Sequence, residues 1–220
     1  MADSKFWTDV RLTITGEGPS GSIHQVLKTP FATLGNHPAA DFVLDDPALP
    51  PRMYYVHASD HGVFVVKLFG SDENETFQGR WVKPDRVIKI RKYKLSFSCT
   101  PAATAELDPD DIRQNLLGPG DSSDFPRVEV LAENKTLFTG ELKPRLTIVG
   151  QSTACGIRID SHTISEQHCA FYREGSQVWV IDLCSDTGIQ IGNTSFQCNA
   201  AVDGIPIRLG SAQVAFSHLD

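Results

Sequence analysis

An internal repeat limits how this chain can fold more than any other feature of its sequence. The run LKTPFATLG, Leu27 to Gly35, lines up with LKPRLTIVG, Leu142 to Gly150. Gly35 and Gly150 stand 115 residues apart, and at that offset the two segments stay aligned without a gap for about thirty-five positions. Phe42 meets Ile157, and Leu44-Asp45 meets Ile159-Asp160. Val63 and Val65 meet Val178 and Val180, and Leu68 meets Leu183. After a small change of length, LSFS at Leu95 to Ser98 meets VAFS at Val214 to Ser217. Identities are few. The apolar positions coincide, as a shared core requires. The chain reads as two copies of one unit, each about 100 residues long.

Each copy reads as β-strands. DVRLTIT, VFVVKL, RVIKIRK and YKLSFS alternate apolar with polar residues, and so do RVEVLA, QVWVIDL, GIPIRLG and AQVAFS. Gly, Asn, Asp and Pro punctuate them at the spacing of an antiparallel sandwich or barrel. The one helix expected lies in LDPDDIRQNLLG, where Asp108 caps, Pro109 opens the first turn, Asp110 and Asp111 face the positive helix end and Gly118 terminates. GPGDSSDFP then reads as a linker. The expected domains are residues 1–99 and 127–220, joined by residues 100–126.

Composition narrows the classes of function. Hydrophobic residues make up 40% of the 220, enough for packed cores. A formal net charge of −7 argues against duplex nucleic acid and anionic membranes as main partners, because both require a cationic surface. No window approaches the length of a membrane-spanning helix, and MADSKFWTDVRLTI has no signal-peptide pattern. The N-x-S/T triplets at Asn74, Asn134 and Asn193 are therefore read as chance. Five cysteines form no C-x-x-C pair. A cytoplasmic protein without metal or cofactor is expected.

Ser165 and His168 are the one pair that suggests catalysis. Residues three apart on a strand face opposite sides, and no G-x-S-x-G elbow surrounds Ser165. A serine hydrolase is accordingly a weak alternative, and no catalytic residue is assigned. Cys169 and Cys184, in or beside strands, are expected to be small buried hydrophobes, while Cys155 and Cys198 fall in expected loops that could expose them. His57 and His61 flank an expected turn, read as a solvated hairpin tip. Asp182 is read as a turn cap, and Trp7, Trp81 and Trp179 as packing residues. KIRKYK, Lys89 to Lys94, is read as a solvated basic strand face.

The second copy carries an ordered set of short motifs. Gly150-Gln151 ends a strand, and Ser165-Glu166-Gln167-His168 follows. Asp182-Leu183-Cys184-Ser185-Asp186-Thr187-Gly188-Ile189 then leads to Gly192-Asn193, and Asp203-Gly204 and Leu209-Gly210 close the set. In order and spacing this resembles the forkhead-associated (FHA) domain, a β-sandwich that binds phosphothreonine peptides through loops at one end. The resemblance covers about residues 127–219 and extends to residues 8–99 through the repeat. It implies two FHA-like antiparallel sandwiches in tandem, the first degenerate, acting in protein–protein recognition linked to kinase signalling or scaffold assembly.

The resemblance also implies a site. Gln151, Ser165, Glu166, Thr187, Gly188 and Asn193 stand at phosphopeptide-binding positions, and Gly150 and His168 at loop-bracing ones. The set departs from the family pattern. Gln151 replaces an arginine, Glu166 replaces a cation, and Thr187 replaces the asparagine that holds the peptide backbone. A hydrogen bond to a charged group contributes about 1.5–3 kcal/mol and a neutral one about 0.5–1.5. These losses therefore cost roughly two decades of affinity. Lys143, Arg145 and Arg158 are the cations that could compensate. In the first copy Asn36, Arg52 and Asn74 are the weak counterparts, while Pro50 and Met53 occupy the serine and histidine positions. Pro50 has neither a hydroxyl nor an N–H to donate. The expected partner is a protein, threonine-phosphorylated or, in the alternative, bound independently of phosphate by an adaptor or dimerisation scaffold.

Overall fold

The computed structural model of the chain describes residues 10–59, 62–69, 77–83, 86–100, 116–118, 124–133 and 135–219. Every regular element among them is a β-strand. The helix expected between Asp108 and Gly118 lies outside the described residues, apart from 116–118, which form a turn. The chain divides into two compact units, Met1–Phe69 with Gln78–Asn115, and Gly70–Phe77 with Leu116–Asp220.

The first unit contains β1 (Arg11–Gly18), β2 (Gly21–Val26), β3 (Phe31–Gly35), β4 (Phe42–Val43), β5 (Tyr54–Ser59), β6 (Gly62–Lys67), β7 (Gln78–Val82), β8 (Ile88–Ile90) and β9 (Tyr93–Thr100). They form two sheets, ordered β2-β1-β9-β8 and β4-β3-β5-β6-β7. Period-two alternation places Leu12 and Ile14 of β1 and Leu95 and Phe97 of β9 on one inner face. These pack in one cluster with Leu34, Val56, Val63 and Val65 of the other sheet.

The second unit contains β10 (Arg127–Ala132), β11 (Lys135–Glu141), β12 (Leu146–Gly150), β13 (Ile157–Arg158), β14 (Cys169–Glu174), β15 (Gln177–Asp182), β16 (Ile189–Ile191), β17 (Thr194–Phe196), β18 (Cys198–Ala200), β19 (Ile207–Leu209) and β20 (Ala212–Ser217). Its sheets run β11-β10-β20-β19-β16-β17 and β13-β12-β14-β15-β18. Val128, Val130, Val214 and Phe216 from one sheet meet Val149, Phe171, Val178 and Val180 from the other, making a sandwich core. Phe171 and Phe216 bridge it edge to face, with centroids 5.1 Å apart.

The 115-residue offset recurs in the hydrogen bonds that shape one loop end of each unit. Asn36 N–H donates to the Pro50 carbonyl at 3.0 Å, as Gln151 N–H does to Ser165 at 3.0 Å. His37 donates to Pro51 at 3.1 Å, as Ser152 does to Glu166 at 3.1 Å. Leu44 to Gly35, Met53 to Leu34 and Leu68 to Met53 repeat as Ile159 to Gly150, His168 to Val149 and Leu183 to His168. A short parallel pairing also recurs, Leu34 with Phe42 and Val149 with Ile157.

The structure corrects two expectations drawn from local pattern. His57 is not at a solvated tip; it lies inside β5, 1% exposed, with its Nδ1 2.8 Å from the Tyr55 hydroxyl. Cys155 is buried although it lies in a loop, where its N–H donates to the Ser152 carbonyl and its thiol to the Glu166 carbonyl. His61 and Trp7 lie outside the described residues.

Candidate functional site

Loops at one end of the second unit bring most of the motif residues together. The framework is a close approach of backbones at Gly150. A Cβ there would lie 2.3 Å from the Glu166 carbonyl oxygen and 2.9 Å from that of Ser165, so only glycine fits without displacing the chain. Gly35 faces the same restriction, at 2.0 Å from the Pro51 carbonyl oxygen.

His168 is fully buried behind this junction. Its Nδ1 accepts the Ser165 backbone N–H at 3.2 Å. An accepting Nδ1 leaves the proton on Nε2, which lies 3.2 Å from the Gly188 carbonyl oxygen. One imidazole thus ties the loop before β14 to the turn before β16. Gly188 makes that turn at φ +70°, a conformation that glycine adopts freely. In the first unit the buried Met53 stands at the corresponding position and offers no such bonds.

Ser165 does not present its hydroxyl to His168. The side chain is 5% exposed, and its hydroxyl donates to Asp186 Oδ2 at 2.8 Å while accepting the Asp186 N–H at 3.0 Å. Both hydroxyl contacts of the serine are thus to Asp186 and not to the His168 imidazole. Asp186, unremarked in the sequence, is the residue that most changes the site. The only sequence signal was an acidic residue directly before Thr187 in the turn.

The remaining motif residues are dispersed around this pair. The Gln151 side-chain amide donates inward to the Ser161 carbonyl at 3.1 Å. Glu166 is exposed, and its carbonyl accepts the Ser152 N–H and the Cys155 thiol. Thr187 is exposed and donates to the Thr163 carbonyl at 3.1 Å. Asn193 is exposed in the turn between β16 and β17. Asn36 and Arg52 are half-buried at the corresponding end of the first unit, and Asn74 lies outside the described residues.

Among the cations considered for compensation, Arg158 alone sits at this loop end. Its Nε donates to the Gln151 carbonyl at 3.1 Å, and its guanidinium lies 3.7 Å from Asp160. Lys143 pairs with Glu141, and Arg145 donates to the Tyr172 hydroxyl near the far end of β12. Glu166, Asp186 and Asp160 are all exposed at this loop end, beside the half-exposed Arg158.

Beside these loops is a cavity of about 310 Å³ lined by Thr163, Thr187, Gln190, Arg208, Gly210 and Ser211. The Arg208 guanidinium is held by Gln190 Oε1. The Ser161, Thr163 and Ser211 hydroxyls form a triangle with sides of 2.9–3.1 Å. In the first unit the corresponding loop carries Asp46, which is 7% exposed and paired with Arg91 at 3.2 Å. Asp182 caps its turn through the Ser185 N–H and hydroxyl.

Burial raises the thiols of Cys155, Cys169 and Cys198 above the ordinary thiol range. The Cys155 thiol is pushed up to about 12, mainly by burial and then by the Glu166 charge. Cys198 is also pushed up to about 12 by burial. All five cysteines are free, and no group of His, Cys, Asp and Glu suited to a metal ion occurs among the described residues.

Residues 147–210 match the family model described as FHA domain. No curated protein matches the chain. Three solved structures illustrate the likeness. The FHA domain of the CT664 protein from Chlamydia trachomatis is 20% identical, over 44% of this chain and 100% of that one, with a TM-score of 0.41. The Slr1951 protein from Synechocystis sp. is 21% identical, over 43% and 99%, with a TM-score of 0.40. A domain from a study of phosphothreonine-dependent FHA domain interactions is 22% identical, over 43% and 98%, with a TM-score of 0.39. The match to the FHA domain model, residues 147–210, thus falls within the second unit.

Proposed function

We propose that the chain is a non-catalytic protein-recognition module, a tandem of two FHA-like units with the first degenerate. Its second unit grips a partner segment at the loop end without holding a phosphothreonine at Ser165. The main support is the Ser165–Asp186 pair: the hydroxyl is buried and engaged in both directions by a residue that already supplies the negative charge. A phosphate bearing −1.5 to −2 charges would meet this carboxylate and Glu166 with no arginine at position 151 to offset them. The partner segment instead spans the loop end and the Arg208 cavity, where a cation and hydroxyls provide directional contacts.

The tandem assignment is supported by the shared offset in hydrogen bonds, parallel pairing and close-approach glycines. Five free cysteines suit a reducing compartment, and we place the protein in the cytoplasm, in signalling or scaffold assembly. An acidic net charge disfavours nucleic acid and membrane surfaces as partners. Phosphothreonine recognition is the second reading, favoured by the half-exposed Arg158 beside Gln151.

Titration of full-length protein with matched threonine and phosphothreonine peptide libraries tests the choice. Affinities independent of phosphorylation, weakened by Arg208→Ala, support the proposal. Tighter binding of phosphorylated peptides, lost in Arg158→Ala, would replace it with the second reading.

A further inference from the structure

We propose that β2 of the first unit is a dimerisation edge, along which two copies of this chain join antiparallel about a two-fold axis at His24. β2 ends its sheet, and no strand pairs with its outer side among the described residues. Leu27 N–H donates to the Leu12 carbonyl, one step beyond the Thr13↔Val26 pair that begins the β1–β2 register. Antiparallel ladders alternate bonded and non-bonded pairs, so Gln25, Ile23 and Gly21 carry the bonds to β1. Ser22, His24 and Val26 consequently direct their N–H and C=O groups outward.

These three residues are symmetric about His24. In an antiparallel pair of identical strands, His24 faces His24 of the second copy, and Ser22 faces Val26. Each is a bond-bearing pair, so every outward donor meets an acceptor, while Ile23 and Gln25 fall opposite each other between them. The ladder phase of β2 thus fixes the register in which a second copy would pair. The strand has no charged residue, and Ile23 and Val26 are about half exposed, so two copies approach without like-charge contact along the seam.

The corresponding edge of the second unit is protected. β11 begins at Lys135 and ends at Glu141, and the register of its pairing with β10 shifts at Val130/Leu131. Charges and bulges are the usual means of stopping an edge from pairing. β2 has neither, and its register with β1 runs without a break from Thr13↔Val26 to Gly18↔Gly21. A strand-to-strand contact buries less area than the roughly 1,200 Å² of a standard stable interface, so the dimer is expected to be weak and concentration-dependent.

Sedimentation equilibrium of the full chain, run from low micromolar to near-millimolar concentration, tests the proposal. A monomer–dimer equilibrium is expected, weakened about tenfold or more by His24→Lys, which places like charges opposite one another on the axis. Val26→Pro removes an outward N–H while leaving the β1 ladder bonds in place, and is expected to abolish association without changing the circular dichroism spectrum. Amide exchange at Ser22, His24 and Val26 should slow as concentration rises. A monomer throughout, or a dimer unaffected by either folded variant and without protection at these three amides, would overturn the proposal.

Discussion

At the scale of the residue, small local choices decide what the loop end can do. Gly150→Ala forces a Cβ against main-chain atoms that cannot swing aside. We expect it to destabilise the second unit by about 2–3 kcal/mol, the upper range for overpacking, with a lowered unfolding midpoint in thermal denaturation. Asp186 is the second decisive residue. Replacing it with Asn removes a charge from the Ser165 hydroxyl, and adding Gln151→Arg supplies a cation. If the carboxylate is what excludes phosphate, the double variant should bind phosphothreonine peptides at least about tenfold more tightly than wild type by calorimetry. An unchanged affinity would show that the loops lack the shape for it. The motif residues themselves were legible in the sequence, but the Ser165–Asp186 bond was not. It joins positions 21 apart, and only the packing of two loops makes them neighbours.

At the scale of the element, burial turns loop and strand cysteines into inert groups. The unfolded chain releases the Cys155 and Cys198 protons near the ordinary thiol value of 9.0, while the fold holds them to about 12. Below pH 9 both states are protonated and these thiols leave stability unchanged. Between pH 9 and 12 the unfolded state binds fewer protons than the native state, so stability falls as pH rises. We expect alkylation of Cys155 at pH 8 to be far slower in native protein than in denaturant. The midpoint of urea unfolding should decline more steeply above pH 9 in wild type than in Cys155→Ala. Sequence pattern located most of the strands, because alternation is a local signal. It misjudged Cys155 and His57, whose burial depends on what folds over them.

At the scale of the whole molecule, each unit builds its own core from two sheets. The Leu146 N–H donates to the Leu116 carbonyl, so the second unit recruits chain ahead of its first strand. We expect a fragment of residues 116–220 to unfold at a higher urea concentration than one of residues 127–220, with circular dichroism as the measure; equal midpoints would assign that contact no energetic role. Several hydrogen bonds of the two loop frameworks repeat at one offset, with Pro50 and Met53 in the first unit where Ser165 and His168 stand in the second.

By itself, the sequence determined the strand content, the 115-residue offset and the motif order that resembles an FHA domain, because alternation, glycine placement and spacing are written along the chain. Three features were decided only by the tertiary structure: the carboxylate that occupies the Ser165 hydroxyl, the cavity beside Arg208, and the outward phase of the β2 ladder. Each depends on which segments distant in sequence come within hydrogen-bonding reach, and that is set by how the sheets pair and pack.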